Sequence, residues 1–321
     1  MPLSADELKT KLLARALALG FDDARVTPAV ELQPDLGRFE AWLAAGMHGE
    51  MDYMRFVPSS RGRPQELLPG ARSVVALACS YYPGEHPEPP AETAPGRVAR
   101  YAWGRDYHRI VGRRLKLLSA YLRGLAPGAS TRTFVDSSPL LERAVASRAG
   151  LGFIGKNTML IHRRLGSWVF LAALITDQEL PPDPAVPGDC GQCRLCLDAC
   201  PTGAFPEPFV LDARRCISHW TIEAASGHPA ALAEQFGDWA FGCDVCQEVC
   251  PYNHRPLATG GASRFAGSRT SGAWTDAVFL ANADEKAFRA RYRRSPLNRP
   301  GRQGMARNAL TVLANSLRRP R

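Results

Sequence analysis

Apolar and polar positions repeat with two periods along the chain, and the predicted elements follow from them. Ser4-x-x-Glu7 is a capping box ahead of Leu8, Leu12, Leu13 and Leu17, with Gly20 behind, so the chain opens with an amphipathic helix closed by glycine. A second helix is predicted around 36–46, and 49–69, with Arg55, Arg61 and Arg63, reads as loop and short helix. Residues 73–82 form a short apolar run, the pattern of a buried strand, with Cys79 inside it as a small core residue. A Pro- and Glu-rich exposed loop over 83–96 leads past 101–108 into a helix over about 109–123. Residues 132–137 form a short strand carrying Asp136 at its end. Ser138 as cap and Pro139 as first residue then start a helix that ends near Gly150. Residues 168–176 give a further buried strand, and 181–188 a Pro-rich linker. Strands alternating with helices predict an α/β (α+β) core.

With 321 residues, 45 % of them hydrophobic, the chain has room for about two domains and a sizeable core. Its start, Met1-Pro-Leu-Ser-Ala-Asp-Glu, has neither the basic head nor the apolar run of a signal peptide. The most apolar stretch, 168–175, is too short to cross a bilayer, so a soluble chain in a reducing cytoplasm is expected, with no membrane partner. Charge is lopsided. Of the 40 Lys and Arg residues behind the formal +9, eleven lie between Lys286 and Arg321, where no acidic residue occurs. An Arg-rich tail interleaved with Tyr292 and Asn298 fits phosphate-backbone binding and hence nucleic acid. The bland reading is a solvated basic surface.

Eight of the nine cysteines carry the strongest chemical signal. Cys190-x2-Cys193-x2-Cys196-x3-Cys200-Pro201 has the spacing of bacterial ferredoxins, and Cys243-x2-Cys246-x3-Cys250-Pro251 echoes it without the leading cysteine, which Cys216 is free to supply. Three closely spaced thiolates wrap one cubane cluster, and the fourth, before the proline, reaches the other. Two 4Fe–4S clusters follow: one on Cys190, Cys193, Cys196 and Cys250, the other on Cys200, Cys216, Cys243 and Cys246. Zinc closes on four ligands from paired C-x2-C units and leaves a cysteine over in each run. Disulfides need an oxidising compartment.

Clusters move electrons and do not bind or protonate a substrate, so the 180 residues before them should hold a reaction chamber. Asp136, at the carboxyl end of a strand, is the first candidate, since ligands sit outside the carboxyl ends of strands in open α/β sheets. A helix-start carboxylate that only satisfies backbone donors is an equal reading. The Asp106-Tyr107-His108 group is the second candidate. Gly150-Leu-Gly152-Phe-Ile-Gly155 matches G-x-G-x-x-G but follows a helix instead of a strand, so dinucleotide binding is not expected there.

Arg100-Tyr-Ala-Trp-Gly-Arg-Asp-Tyr-His108, Val135-Asp-Ser-Ser-Pro-Leu-Leu-Glu-Arg143, Arg148-Ala-Gly-Leu-Gly-Phe-Ile-Gly-Lys-Asn-Thr158, Arg215-Cys-Ile-Ser-His-Trp-Thr-Ile-Glu223, both cysteine runs and the Arg307-Asn308 stretch resemble the epoxyqueuosine reductase family, over nearly the whole chain. That family is related to the reductive dehalogenases. The resemblance implies a cobalamin-binding core similar to the nitroreductase fold over 1–180, a ferredoxin-like two-cluster domain over 181–255 and a basic helical, tRNA-binding region over 256–321. It implies that electrons from an external low-potential donor, such as flavodoxin or ferredoxin, pass through the clusters to base-off cobalamin. The epoxide of epoxyqueuosine at a tRNA wobble position would then be reduced to queuosine and water by a monomeric enzyme.

Asp136 matches the family's proton donor, which should be buried with a raised pKa. Tyr107 and His108 match a polar motif beside the same pocket, and Arg61, Asn157, Thr176 and Ser218 fall in segments resembling cobalamin-contacting ones. Asp106-Tyr-His108-Arg-Ile-Val-Gly112 nearly spells the D-x-H-x-x-G motif of cobalt ligation but has one residue too many. His219-Trp220 and Pro251-Tyr252-Asn253 depart from the family's usual Tyr-Leu and Pro-Trp-Asn, and the extra helical repeats of longer members are absent after the basic helices. A cobalamin-dependent dehalogenase of small organohalides, or a ferredoxin-type electron-transfer subunit, would share the clusters but leave the tail or the core without a purpose.

Overall fold

A computed structural model of the chain describes residues 3–57, 59–91, 94–136, 139–254, 256, 261–268 and 270–318. Its centre is a four-stranded sheet with strands in the order Asp23–Pro28, Ser73–Ser80, Val169–Thr176, Thr131–Phe134, antiparallel at every junction. The antiparallel pairing places the fold on the α+β side of the expected class. Both central strands were legible as apolar runs, because they are covered on both faces. Along Ser73–Ser80 the alternation assigns Val75, Leu77 and Cys79 to one layer and Val74, Ala76 and Ala78 to the other.

The first layer packs against the Ala5–Ala18 and Tyr107–Leu125 helices through Leu8, Leu12, Leu115 and Leu118. The capping box at Ser4 and Glu7 is formed as predicted. Cys79 is a core residue, its thiol 3.5 Å from the Gly20 carbonyl. The second layer packs against the Glu142–Arg148 helix through Ala144, Val145 and Ala146.

Three local expectations are corrected. The Asp23–Pro28 strand was not foreseen, because an edge strand reading Asp-Ala-Arg-Val-Thr-Pro lacks an apolar run. The helix predicted from Pro139 begins at Glu142, and Leu141 instead donates its N–H to the Arg61 carbonyl at 2.9 Å. The expected Ser138 cap lies outside the described residues. The third concerns the stretch read as exposed loop, whose end, Pro95–Val98, is a strand.

That strand joins the rest of the molecule. Pro95–Val98 pairs in parallel with Trp239–Phe241 and antiparallel with Trp274–Asp276. One strand thus comes from each of the expected segments 1–180, 181–255 and 256–321. The Ala277–Asn282, Glu285–Tyr292 and Gly301–Arg318 helices cover this sheet through a core of Val98, Ala102, Phe241, Leu280, Phe288 and Met305. Inside it Asn308 is fully buried and donates to the Thr221 and Ala240 carbonyls at 2.7 and 2.9 Å. Among the described residues no helix is long and apolar enough to cross a membrane.

Candidate functional site

The folded chain gathers the eight cysteines into two sets, and all are free thiols. Cys190, Cys193, Cys196 and Cys250 line one cavity of ≈ 290 Å³ that opens beside half-exposed Leu195 and Tyr252. Burial raises the Cys196 thiol pKa, and the charges of Cys190, Cys250 and Cys193 add to the rise, as they must when four thiols crowd one cavity. Cys246 is likewise raised by burial and then by Cys216 and Cys200, while Cys243 feels Cys246 and Cys216. Cys246 also feels Cys196 of the first set, so the two groups lie near each other.

Backbone N–H groups point at the sulfurs: Lys156 donates to Cys190 at 3.4 Å and Ala204 to Cys200 at 3.3 Å. Two sets of four thiols with amide donors fit two iron–sulfur cubes, which need thiolate ligands and hydrogen bonds to sulfur. Lys156 also clamps the first loop, its Nζ donating to the Gly191 and Cys193 carbonyls at 2.6 and 2.9 Å.

A polar cluster gathers around Asp136. Asp106 caps the Tyr107–Leu125 helix, accepting from the His108 N–H at 3.0 Å. The cap fixes the first helical turn, so Tyr107 and His108 point together at Asp136. Tyr107 Oη donates to Asp136 Oδ2 at 2.7 Å, and His108 Nε2 stands 3.1 Å from the same oxygen. His108 Nδ1 meets Asp106 Oδ1 at 2.8 Å. With a carboxylate at each ring nitrogen, both must donate, so His108 is an imidazolium. Burial opposes that charge, but the hydrogen bonds and charges of Asp106 and Asp136 prevail and push its pKa up to about 9.

Asp136 holds a left-handed backbone, φ +49°, uncommon for a residue with a side chain. Its N–H donates to Glu142 Oε1 at 2.7 Å. The expectation of a buried Asp136 with a raised pKa is corrected. Its side chain is 63 % exposed, yet enough protein surrounds it that desolvation is the largest single influence on its titration. His108 and Tyr107 outweigh that influence and hold the carboxyl below its ordinary value. The proton sits next door instead. Glu142 is pushed up to about 8 by burial and by the Asp136 charge, so it is protonated at neutral pH.

The remaining predicted residues divide. Arg61 stands near Glu142, donates to the Tyr53 carbonyl at 3.2 Å and belongs to the Asp136 cluster. Asn157 and Ser218 lie at the cysteines: Asn157 donates to the Cys246 carbonyl at 3.2 Å and lines the first cavity, and Ser218 hydrogen-bonds the Cys216 thiol. Thr176 stands apart from these. It is fully buried, donates to the Ser130 carbonyl at 3.0 Å and pairs with Thr131, at the far end of the strand from Asp136.

Several residues around the Asp136 cluster were not foreseen. Glu223 accepts from Arg299 at 2.9 Å, and the Arg299 guanidinium lies 5.6 Å over the Tyr53 ring. Exposed Tyr53, Phe56 and Val57 form an apolar lip beside this polar floor. Glu142, inside a motif already quoted, could have been found by asking which acid lies near Asp136. Arg299 could not, because it reads as one more tail cation. The tail is also less free than its count suggests. Arg307 is spent on the Ala224, Ser226 and Trp220 carbonyls and Arg318 on Glu234. Arg319 and Arg321 lie outside the described residues. Among the described residues the Lys286, Arg293, Arg294 and Arg302 side chains make no ion pair, and the Arg294 carbonyl accepts from Asp106 N–H at 2.8 Å, bringing that turn to the edge of the cluster.

Comparison with known proteins gives consistent matches. The family model described as "Epoxyqueuosine reductase QueG, DUF1730" matches residues 61–137, and the "4Fe-4S double cluster binding domain" matches 189–253. The chain is 42 % identical to the epoxyqueuosine reductase of Pseudomonas aeruginosa over 301 residues, covering 93 % of this chain and 82 % of that one. Over 312 residues it is 39 % identical to the epoxyqueuosine reductase of Gloeobacter violaceus, covering 95 % and 96 %. Among solved structures it resembles an epoxyqueuosine reductase crystallised with an epoxyqueuosine-modified tyrosine tRNA stem loop, with a TM-score of 0.89 at 31 % identity over 97 % of this chain and 82 % of that one. A Bacillus subtilis epoxyqueuosine reductase whose catalytic aspartate loop is swung out of the active site gives a TM-score of 0.87 at 30 % identity, with the same coverage.

Proposed function

The chain belongs to the epoxyqueuosine reductase family of oxidoreductases, with a 4Fe–4S double-cluster domain, and from that premise we propose that it reduces the epoxide of epoxyqueuosine in tRNA with cobalamin held at the Asp136 cluster. The observation that carries this reading is the presence, in one chain, of two four-thiol sets and of the Tyr107–His108–Asp136–Glu142 hydrogen-bonded cluster, with exposed Tyr53, Phe56 and Val57 offering apolar surface. Tyr101 stands between them, its phenol raised by burial and then by Asp136, Glu223 and Asp244. A corrin is a flat macrocycle with apolar faces and an amide fringe; the apolar lip suits the first, and Arg61, Arg143 and Tyr53 can meet the second. Base-off cobalamin, when bound, supplies a strongly reducing cobalt centre.

The chain's own residues do the rest. The first cysteine set opens at the surface and would take electrons from a flavodoxin- or ferredoxin-like carrier, with the second set passing them inward. Asp136 would relay the proton held on the His108 imidazolium to the departing epoxide oxygen, because an unprotonated oxyanion leaves poorly. Tyr107 orients that carboxyl. Arg293 and Arg294 would take phosphates of the anticodon arm at the rim. We place the enzyme in the cytoplasm as a monomer.

Anaerobically reconstituted protein, given cobalamin, a low-potential reductant and an epoxyqueuosine stem loop, should yield the queuosine form. Asp136→Asn should bind the stem loop with unchanged affinity and lose on the order of 10²–10⁴-fold in turnover. Unchanged turnover in that variant would refute the proton-donor role.

A further inference from the structure

Resting on the reading just given, the stoichiometry of the reaction asks for a second acid. Converting an epoxide to an alkene breaks two C–O bonds, forms one C=C bond, takes up two electrons and releases the oxygen as water, which carries away two protons. The electrons come from the external low-potential carrier. One carboxyl delivers one proton per encounter: it turns the opened oxygen into a hydroxyl, and a second proton is still needed before that hydroxyl leaves as water.

We propose that Glu142 is the second proton donor, acting on the same oxygen from beside Asp136. It sits in the first turn of the Glu142–Arg148 helix, with Oε1 held by the Asp136 N–H at 2.7 Å. Arg61, Arg143, His108 and Asp136 are the charged groups facing it, from the neighbouring wall, its own helix, the Tyr107–Leu125 helix and the Asp136 loop. Only one of its oxygens is engaged by that N–H, and no hydrogen bond holds the other among the described residues. Its protonation at neutral pH, described above, agrees with this placement. Two protons are therefore stored within one hydrogen-bonded step of Asp136, one on His108 and one on Glu142, matching the two consumed.

A purely structural Glu142 would only hold the Asp136 loop in its left-handed conformation. Glutamine separates the two roles, because its amide oxygen still accepts from the Asp136 N–H but its side chain gives up no proton. Wild type, Glu142→Gln, Glu142→Asp and Asp136→Asn would be compared by turnover of the epoxyqueuosine stem loop, by stem-loop affinity and by infrared titration of the protonated-carboxyl band in the cofactor-free chain. Glu142→Gln should lose about 10²-fold or more in turnover with stem-loop affinity unchanged, Glu142→Asp should recover part of it, and the carboxyl band titrating near pH 8 should vanish in Glu142→Gln. Wild-type turnover retained in Glu142→Gln, or a band unaltered by it, overturns the second-acid role and leaves the functional reading standing. An inactive wild type overturns that reading and this inference together.

Discussion

At the scale of single residues, one oxygen of Asp136 collects a phenol and an imidazole, and this decides how the site holds protons. Asp136 gives up its own proton so that His108 keeps one, and Glu142 keeps another. The folded His108 pKa lies above its ordinary 6.5, so the stabilisation from its two carboxylate contacts is complete below pH 6.5 and is lost as pH rises through about 9. Denaturant midpoints measured from pH 6 to 10 should therefore fall more steeply for wild type than for His108→Asn. Turnover should decline as pH passes about 8, where Glu142 loses its proton, and a flat profile to pH 10 would contradict the assignment. Asp136 stands two residues past the end of the Thr131–Phe134 strand and not on it as expected, and its low pKa was not legible, because that depends on Tyr107 and His108, 29 and 28 residues earlier. Thr176 shows the opposite case: a residue in a matching segment whose hydroxyl is already committed to Ser130.

At the scale of elements, buried runs announced themselves and edge or capped pieces did not. The Ser73–Ser80 and Val169–Thr176 strands are apolar end to end because both faces are covered, whereas Asp23–Pro28 and Pro95–Val98 are short edge or satellite strands without that imprint. The Tyr107–Leu125 helix bears directly on the site, since its buried face fixes where its first residues point. Leu118 is fully buried in that interface, and Leu118→Ala should cost roughly 2–5 kcal/mol in chemical denaturation. Asn308 joins the last helix to the Trp239–Phe241 strand, and Asn308→Ala should cost about 1–3 kcal/mol for each carbonyl left unpaired. At the cysteine loops the spacing announced a double-cluster region, because cube geometry restricts which thiols can share a cluster. Cys196→Ala should lower iron content by one cluster, with Cys79→Ser leaving it unchanged.

Across the whole molecule the sequence-level picture of three consecutive segments misses how they are joined. The basic tail reads as an appendage by charge, yet its Arg307 and Asn308 are structural and its Arg299 lies near Asp136. Among the described residues, Arg307 apart, the tail cations without an ion pair, and so available to RNA on the proposed reading, are Lys286, Arg291, Arg293, Arg294 and Arg302. Arg293→Glu with Arg294→Glu should weaken stem-loop binding and reduce the slope of log affinity against log salt by about 0.7–0.9 for each phosphate no longer neutralised. Iron content should stay unchanged. Equal affinity at low salt would remove that turn from the interface.

The three-stranded sheet has a mechanical meaning as well. Its Trp239–Phe241 strand runs within two residues of Cys243, and the tail helices rest on that strand. On the proposed reading, a nucleic acid gripping those helices would load the same stretch of backbone that leads into Cys243. Substrate grip and electron delivery would then meet at one sheet, and a chain cut after residue 255 should lose both at a stroke.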